Sequence, residues 1–132
     1  QDMGTSAWVP GPREPYQAVP LPLLNGTRVV EQPCDLGTLA EKYAKAAADF
    51  VSMAKSPFYL YAAFNHIHAP NSAGPAFCGK SARGAVGDSI MELDWAIGQI
   101  MDAVRDRVSK EGDNTLVLFT SDNGAPLGND KE

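Results

Sequence analysis

The sequence predicts an α/β fold with a mainly parallel sheet, because apolar segments of strand length alternate with amphipathic helical segments. Residues 58–64 and 115–120 are short, largely apolar runs bounded by turn residues. Such runs are typical of strands buried on both faces. A helix between them favours a right-handed crossover between parallel strands. Residues 36–132 therefore form a predicted α-β-α-β core.

Residues 1–35 are rich in proline and glycine, which oppose helices and central strands. We expect a loop segment here. It contains Asn25-Gly26-Thr27, a sequon for N-glycosylation if the chain is secreted. Such tripeptides also arise by chance, but the turn-prone setting favours an exposed Asn25.

Two helices are predicted from apolar periodicity. The first begins near Thr38, which with Glu41 can form a capping box, and ends before Pro57 because a residue preceding proline avoids the helical region. The second runs from about Asp88 to Lys110, with Ser89 offering a cap. Each helix has one apolar face that a sheet can cover.

Composition excludes some classes of partner. The net charge of -5 disfavours nucleic acid or an anionic membrane as a nonspecific partner. No apolar run approaches the roughly 18 residues that span a bilayer, so no membrane span is expected. Cys34 and Cys78 lack zinc-site spacing, and they could pair with each other, pair with other cysteines or stay free.

The predicted crossover places a candidate site at one edge of the sheet. Segments that follow parallel strands lie at the edge where open α/β folds bind ligands. His66 and His68 follow the first strand, and Asp122 and Asn123 follow the second. A carboxylate beside an amide carbonyl suits a hard cation such as calcium, although the tripeptide Asp-Asn-Gly by itself favours a simple turn. Because alternate residues of an extended segment point to opposite sides, one histidine is expected to face a given pocket.

Four separated blocks resemble the middle of type I sulfatases of the arylsulfatase A group. They are residues 57–63, 66–70, 87–94 and 118–124. Residues 20–27 also resemble a glycosylated segment of that group. The resemblance implies an alkaline-phosphatase-like α/β/α sandwich, in which residues 1–132 are an internal piece of the N-terminal catalytic domain.

The resemblance also implies site roles. One calcium ion would have Asp122 and Asn123 among its ligands, and His68 would contact the sulfate group of an aryl, lipid or sugar sulfate ester. It implies no catalytic role for His66. A lysosomal or secreted location agrees with the sequon at Asn25 and with the family.

The family's nucleophile is a formylglycine made from the cysteine of a Cys-x-Pro-Ser-Arg motif. Neither Cys34 nor Cys78 is followed by Pro-Ser-Arg, so no catalytic nucleophile is assigned and the piece by itself is expected to be inactive. Glu92 and Asp94 are expected to serve capping and packing, since helix positions two apart do not face each other.

Two other interpretations stay open. One is another hydrolase of the alkaline phosphatase superfamily, acting on phosphate or phosphonate esters with the same Asp-Asn metal chemistry. The other is a non-catalytic secreted glycoprotein that has the fold without the nucleophile. The block at 87–94 is closer to sulfatases than to phosphatases and favours a sulfuric ester hydrolase. The sequence sets neither the natural substrate nor the oligomeric state.

Overall fold

Two helices and one β-hairpin are the regular elements of residues 20–112 and 114–124, which this computed structural model describes. In chain order they are β1 (Leu23–Asn25), β2 (Arg28–Glu31), a 3-10 turn (Leu36–Thr38), α1 (Leu39–Met53) and α2 (Gly84–Glu111). No helix in these ranges is both long and apolar enough to cross a bilayer.

The hairpin lies where the sequence predicts an irregular loop. Strand β1 pairs with β2 in the antiparallel sense, with Asn25 opposite Arg28. The connecting residue Gly26 has a φ of 59°, a conformation that glycine adopts without steric cost and that two-residue hairpin turns require. The expectation of a loop is therefore wrong for these residues, since one glycine at the turn lets the flanking segments pair.

Helix α1 begins and ends as predicted, but its capping differs. The Thr38 side chain makes no capping hydrogen bond to the helix. Its hydroxyl instead donates to Asp35, whose carboxylate accepts the backbone N–H of Gly37. These hydrogen bonds stabilise the 3-10 turn that precedes α1, and they do not form a capping box.

Helix α2 begins at Gly84, four residues before the predicted start, and ends at Glu111. Gly112 follows with a φ of 70°, a left-handed conformation typical of the residue after a helix. Ser89 consequently lies within α2, where it cannot be the N-cap. The predicted cap is wrong because the helix continues through the glycines at 84 and 87, which the sequence interpretation assigned to a loop.

The helices pack through small side chains. Ala40 and Ala44 of α1 and Ala96 of α2 are almost completely buried and form the centre of the core, with Phe64 packed against it. Aromatic edge-to-face contacts join α1 to the segment 58–64, with Tyr43 and Phe64 ring centroids 6.1 Å apart. These contacts hold the segment 58–64, which leads into the candidate site, against α1.

The predicted parallel sheet is not seen among the described residues. Within residues 20–112 and 114–124, segments 58–64 and 114–121 pair with no other strand, and the hairpin is the only sheet. Tyr59 is 83% exposed and Leu116 is 85% exposed, whereas strands buried on both faces would hide such side chains. A strand needs a hydrogen-bonded neighbour at about 4.8 Å, and neither segment has one in this part of the chain.

Candidate functional site

The two histidines lie in a tight turn after the segment 58–64. The backbone N–H of His68 donates to the carbonyl of Asn65 at 3.0 Å, which closes the turn. The side chain of Asn71 donates to the carbonyl of Ile67, also at 3.0 Å. The turn presents the His68 side chain at the surface.

A hydrogen bond to the carbonyl of the next residue determines the tautomer of His68. Its Nδ1 lies 2.5 Å from the carbonyl oxygen of Ala69. A carbonyl oxygen only accepts hydrogen bonds, so Nδ1 must carry a proton. The imidazole Nε2 is then the ring atom left to meet a ligand, as an acceptor when the ring is neutral and as a donor when it is protonated.

His66 is buried, unlike His68, although the segment that holds them is a turn and not the extended backbone that the alternation assumed. Its side chain is 2% exposed, and its Nε2 lies 2.9 Å from Oε2 of Glu92, whose side chain is 4% exposed. Within the described part of the chain, its Nδ1 is buried without a hydrogen-bond partner. Both histidines border one small cavity, together with Asn65, Ile67, Ser72 and Ser89, so the expectation that one of them faces a given pocket is wrong.

Helix α2 holds the loop between the histidines and Gly84. The carboxylate of Glu92 accepts the backbone N–H of Gly74 at 3.1 Å through Oε1. The hydroxyl of Ser89 donates to the carbonyl of Ser72 at 2.8 Å. Ser89 and Glu92 therefore bind the loop and do not serve the capping that the sequence predicted for them. Since helix positions three apart lie on one face, both residues reach the same loop.

A third contact from α2 holds the end of the loop. The Asp88 carboxylate accepts the backbone N–H groups of Ser81, Gly79 and Lys80 at 2.7, 2.7 and 3.1 Å. These hydrogen bonds, above all that from Ser81, hold the pKa of Asp88 below its usual value. The sequence interpretation assigned Asp88 only to the start of a helix. Its i, i+4 spacing from Glu92 was the available signal for a shared face.

Gly74 allows the loop to approach the rest of the fold closely. A Cβ atom at this position would lie 2.5 Å from the carbonyl oxygen of Gly37 and 2.9 Å from Oε1 of Glu92. Both distances are too short for any side chain. The loop therefore depends on the buried glycine here to reach both the 3-10 turn and α2.

Asp122 and Asn123 form an exposed turn. Oδ1 of Asp122 accepts the backbone N–H of Asn123 at 2.8 Å, and the Ser121 hydroxyl donates to the carbonyl of Asn123. No hydrogen bond or ion pair links this turn to His68 within the described residues, nor do those residues contain a group of three or more metal-binding His, Cys, Asp or Glu side chains. The exposed carboxylate and amide oxygens nevertheless match the donor atoms that calcium takes.

The remaining predicted positions are all at the surface except one cysteine. Asn25 is exposed at the end of β1. Cys34 is buried and Cys78 is exposed, and they are not bonded to each other. Burial raises the pKa of the Cys34 thiol, which favours its protonated form.

The comparisons with known proteins agree on one family. The family model described as Sulfatase matches residues 5–132. Arylsulfatase G of Rattus norvegicus is 40% identical over 120 residues, which cover 89% of this chain and 22% of that protein. Arylsulfatase A of Homo sapiens is 44% identical over 109 residues, covering 80% and 21%. Steryl-sulfatase of Rattus norvegicus is 41% identical over 98 residues, covering 74% and 17%.

The chain spans about a fifth of the length of the curated relatives that it matches. The match includes the turn with both histidines, the α2 residues that hold it and the Asp122-Asn123 pair. The resemblance in the four sequence blocks is thus confirmed over nearly the whole chain. This chain belongs to the sulfatase family.

Proposed function

We propose that the whole protein is a sulfuric ester hydrolase and that this chain supplies one wall of its active site. The observation that carries the proposal is the family match over residues 5–132, which includes every predicted site residue. The names of its relatives, two arylsulfatases and a steryl-sulfatase, point to aryl or alicyclic sulfate esters as the substrate class.

His68 is the residue that contacts the sulfate group in this proposal. The proton on its Nδ1 is engaged by the carbonyl of Ala69, and its Nε2 is left for the substrate. When protonated, the exposed imidazole donates from Nε2 to a sulfate oxygen and adds positive charge beside an anionic group. This hydrogen bond orients the ester and offsets charge on the sulfuryl oxygens.

Asp122 and Asn123 would hold a calcium ion through their side-chain oxygens. A calcium ion held there would supply positive charge beside the sulfuryl oxygens of the substrate. It takes six to eight oxygen ligands, so these two residues are part of a shell that other segments complete. A formylglycine nucleophile would likewise have to come from another segment, because neither Cys34 nor Cys78 has the required motif.

We also propose that the protein is glycosylated at Asn25 and is lysosomal or secreted. Asn25 is exposed beside the turn of the hairpin. A sequon in such a turn is accessible to the glycosylation machinery of the secretory route.

The proposed activity is tested with the full-length protein, calcium and matched p-nitrophenyl esters of sulfate and phosphate. The expected result is a higher kcat/KM for the sulfate ester, with a large loss in His68→Ala and none in the surface control Asp102→Asn. A preference for the phosphate ester would instead indicate a phosphohydrolase. Calcium binding without turnover of either ester would indicate a non-catalytic relative.

A further inference from the structure

One buried carboxylate joins the two arms of the loop that carries His68. Glu92 receives a hydrogen bond from His66, two residues before His68, and another from Gly74, six residues after it. We propose that Glu92 is a positioning residue for His68 and acts on it through His66. This inference rests on the proposed function, in which His68 contacts the sulfate group.

The contact between Glu92 and His66 is buried, which limits the movement of both side chains. The side chains of Glu92 and His66 are 4% and 2% exposed, so neither can exchange its partner for bulk water. Buried charged groups persist where hydrogen bonds satisfy them, and removing one partner leaves the other with the full cost of desolvation. Nδ1 of His66 already lacks a partner among the described residues, which makes Nε2 its only anchor there.

His66 and His68 are two residues apart, so fixing the His66 side chain also restricts the backbone that carries His68. Residues 65–68 form a turn closed by the hydrogen bond from the His68 N–H to the Asn65 carbonyl. The loop beyond it has no helix or strand of its own, and hydrogen bonds to Glu92 and Ser89 of α2 hold it at Gly74 and Ser72. Rotation of His66 out of its buried site would therefore turn the peptide that carries His68.

A purely structural role for Glu92 makes a different prediction. If Glu92 only stabilised the fold, its loss would lower the stability of the protein without depending on His68. If it positions His68, the catalytic effect of losing Glu92 must disappear once His68 is itself absent. Coupling between two residues in a double-mutant cycle separates these possibilities.

The experiment measures kcat and KM for p-nitrophenyl sulfate in the full-length protein carrying Glu92→Ala, His68→Ala or both. We expect Glu92→Ala alone to lower kcat/KM by about 10- to 100-fold, the range in which displaced supporting residues act. In the His68→Ala background, the same change should alter kcat/KM by less than about twofold. Glu92→Gln retains one oxygen acceptor and should recover part of the loss.

Asp102→Asn is the matched control, because Asp102 lies on the same helix with its side chain 70% exposed. Equal losses from Glu92→Ala in both backgrounds would overturn the proposal. So would a lower melting temperature with unchanged kcat/KM in Glu92→Gln, should the alanine variant fail to fold.

An inactive wild-type protein would refute the proposed function and leave positioning to a second measurement. The imidazole resonances of His68 are then followed by NMR during titration with inorganic sulfate. Positioning predicts that the His68 resonance of Glu92→Gln differs from that of the wild type before sulfate is added, while Asp102→Asn matches the wild type. A His68 resonance unaffected by Glu92→Gln would overturn the inference.

Discussion

Arg107 of α2 donates from Nη1 to the carbonyl oxygen of Val51 in α1 at 2.8 Å, across 56 residues of sequence. The same nitrogen donates to the carbonyl of Ala54 at 2.6 Å, and Nη2 donates to the hydroxyl of Ser56 at 3.0 Å. The last carbonyls of a helix have no partner within it, and a cation is favourable there. Arg107 of α2 therefore caps the C-terminal end of α1.

Replacing Arg107 with methionine should destabilise the protein by about 2 to 3 kcal/mol, because buried carbonyls lose a charged donor. The guanidinium also lies 5.1 Å from the centre of the Phe58 ring, a contact that methionine only partly replaces. Urea unfolding of the full-length protein measures the change. Arg105→Met is the control, since Arg105 is 68% exposed and its ion pair is worth about 0.5 kcal/mol. Equal effects of the two changes would contradict the role of Arg107.

Gly74→Ala should destabilise the protein by about 1 to 3 kcal/mol, since its Cβ would overlap the Gly37 carbonyl and force the loop to shift. Gly98→Ala is a control of opposite sign. Apart from its chain neighbours and the nearby backbone of its own helix, no atom of the described residues lies within 4 Å of a Cβ at position 98, and alanine is favoured over glycine inside a helix by about 1 kcal/mol. Thermal unfolding of both variants should move in opposite directions. A stabilised Gly74→Ala protein would show that the loop is not held as described.

The loop contact of Asp88 should depend on pH. The pKa of Asp88 is lowered in the folded protein, so the folded state prefers the ionised carboxylate. Its stabilising contribution is complete above the ordinary aspartate value of 3.8 and is lost as the pH falls through the lower folded value.

Hydrogen exchange of the Gly79 and Ser81 amides measures the Asp88 contact directly. Protection should fall in Asp88→Asn at neutral pH and should fall in the wild type only under acid conditions. Exchange is compared with that in Asp102→Asn, which leaves these amides untouched. Equal protection in Asp88→Asn and the wild type at neutral pH is the contrary result.

Removal of a proposed calcium ligand should weaken metal binding. Asp122→Ala is expected to raise the calcium Kd of the full-length protein by at least about tenfold, since a hard cation loses a charged oxygen ligand. Isothermal titration measures this change. Asp106→Asn serves as the control because it removes an exposed carboxylate at a distant surface ion pair. Unchanged affinity in Asp122→Ala would place the metal elsewhere.

Glycosylation at Asn25 is tested by expressing the protein through the secretory route. Asn25→Gln should increase electrophoretic mobility by the equivalent of one glycan, and glycosidase treatment should remove the difference. Thr27→Ser retains the sequon and should keep the mobility of the wild type. Identical mobility of Asn25→Gln and the wild type would show that the site is unused.

Local sequence was sufficient to predict some features of this protein. Helix α1 lies within one or two residues of its predicted bounds, because proline and apolar periodicity act over neighbouring residues. The four sequence blocks also sufficed to recognise the family, which the match over residues 5–132 confirms.

Only the tertiary structure shows what α2 does. The sequence interpretation assigned Ser89 and Glu92 to a helix cap, yet both hold a loop that lies 17 or 18 residues away in sequence. Pairing of strands is equally non-local, and segments 58–64 and 114–121 have no partner among the described residues. Periodicity reports which face of an element is apolar. Which polar groups meet across that face depends on how the chain folds back, as the contact between Glu92 and His66 illustrates.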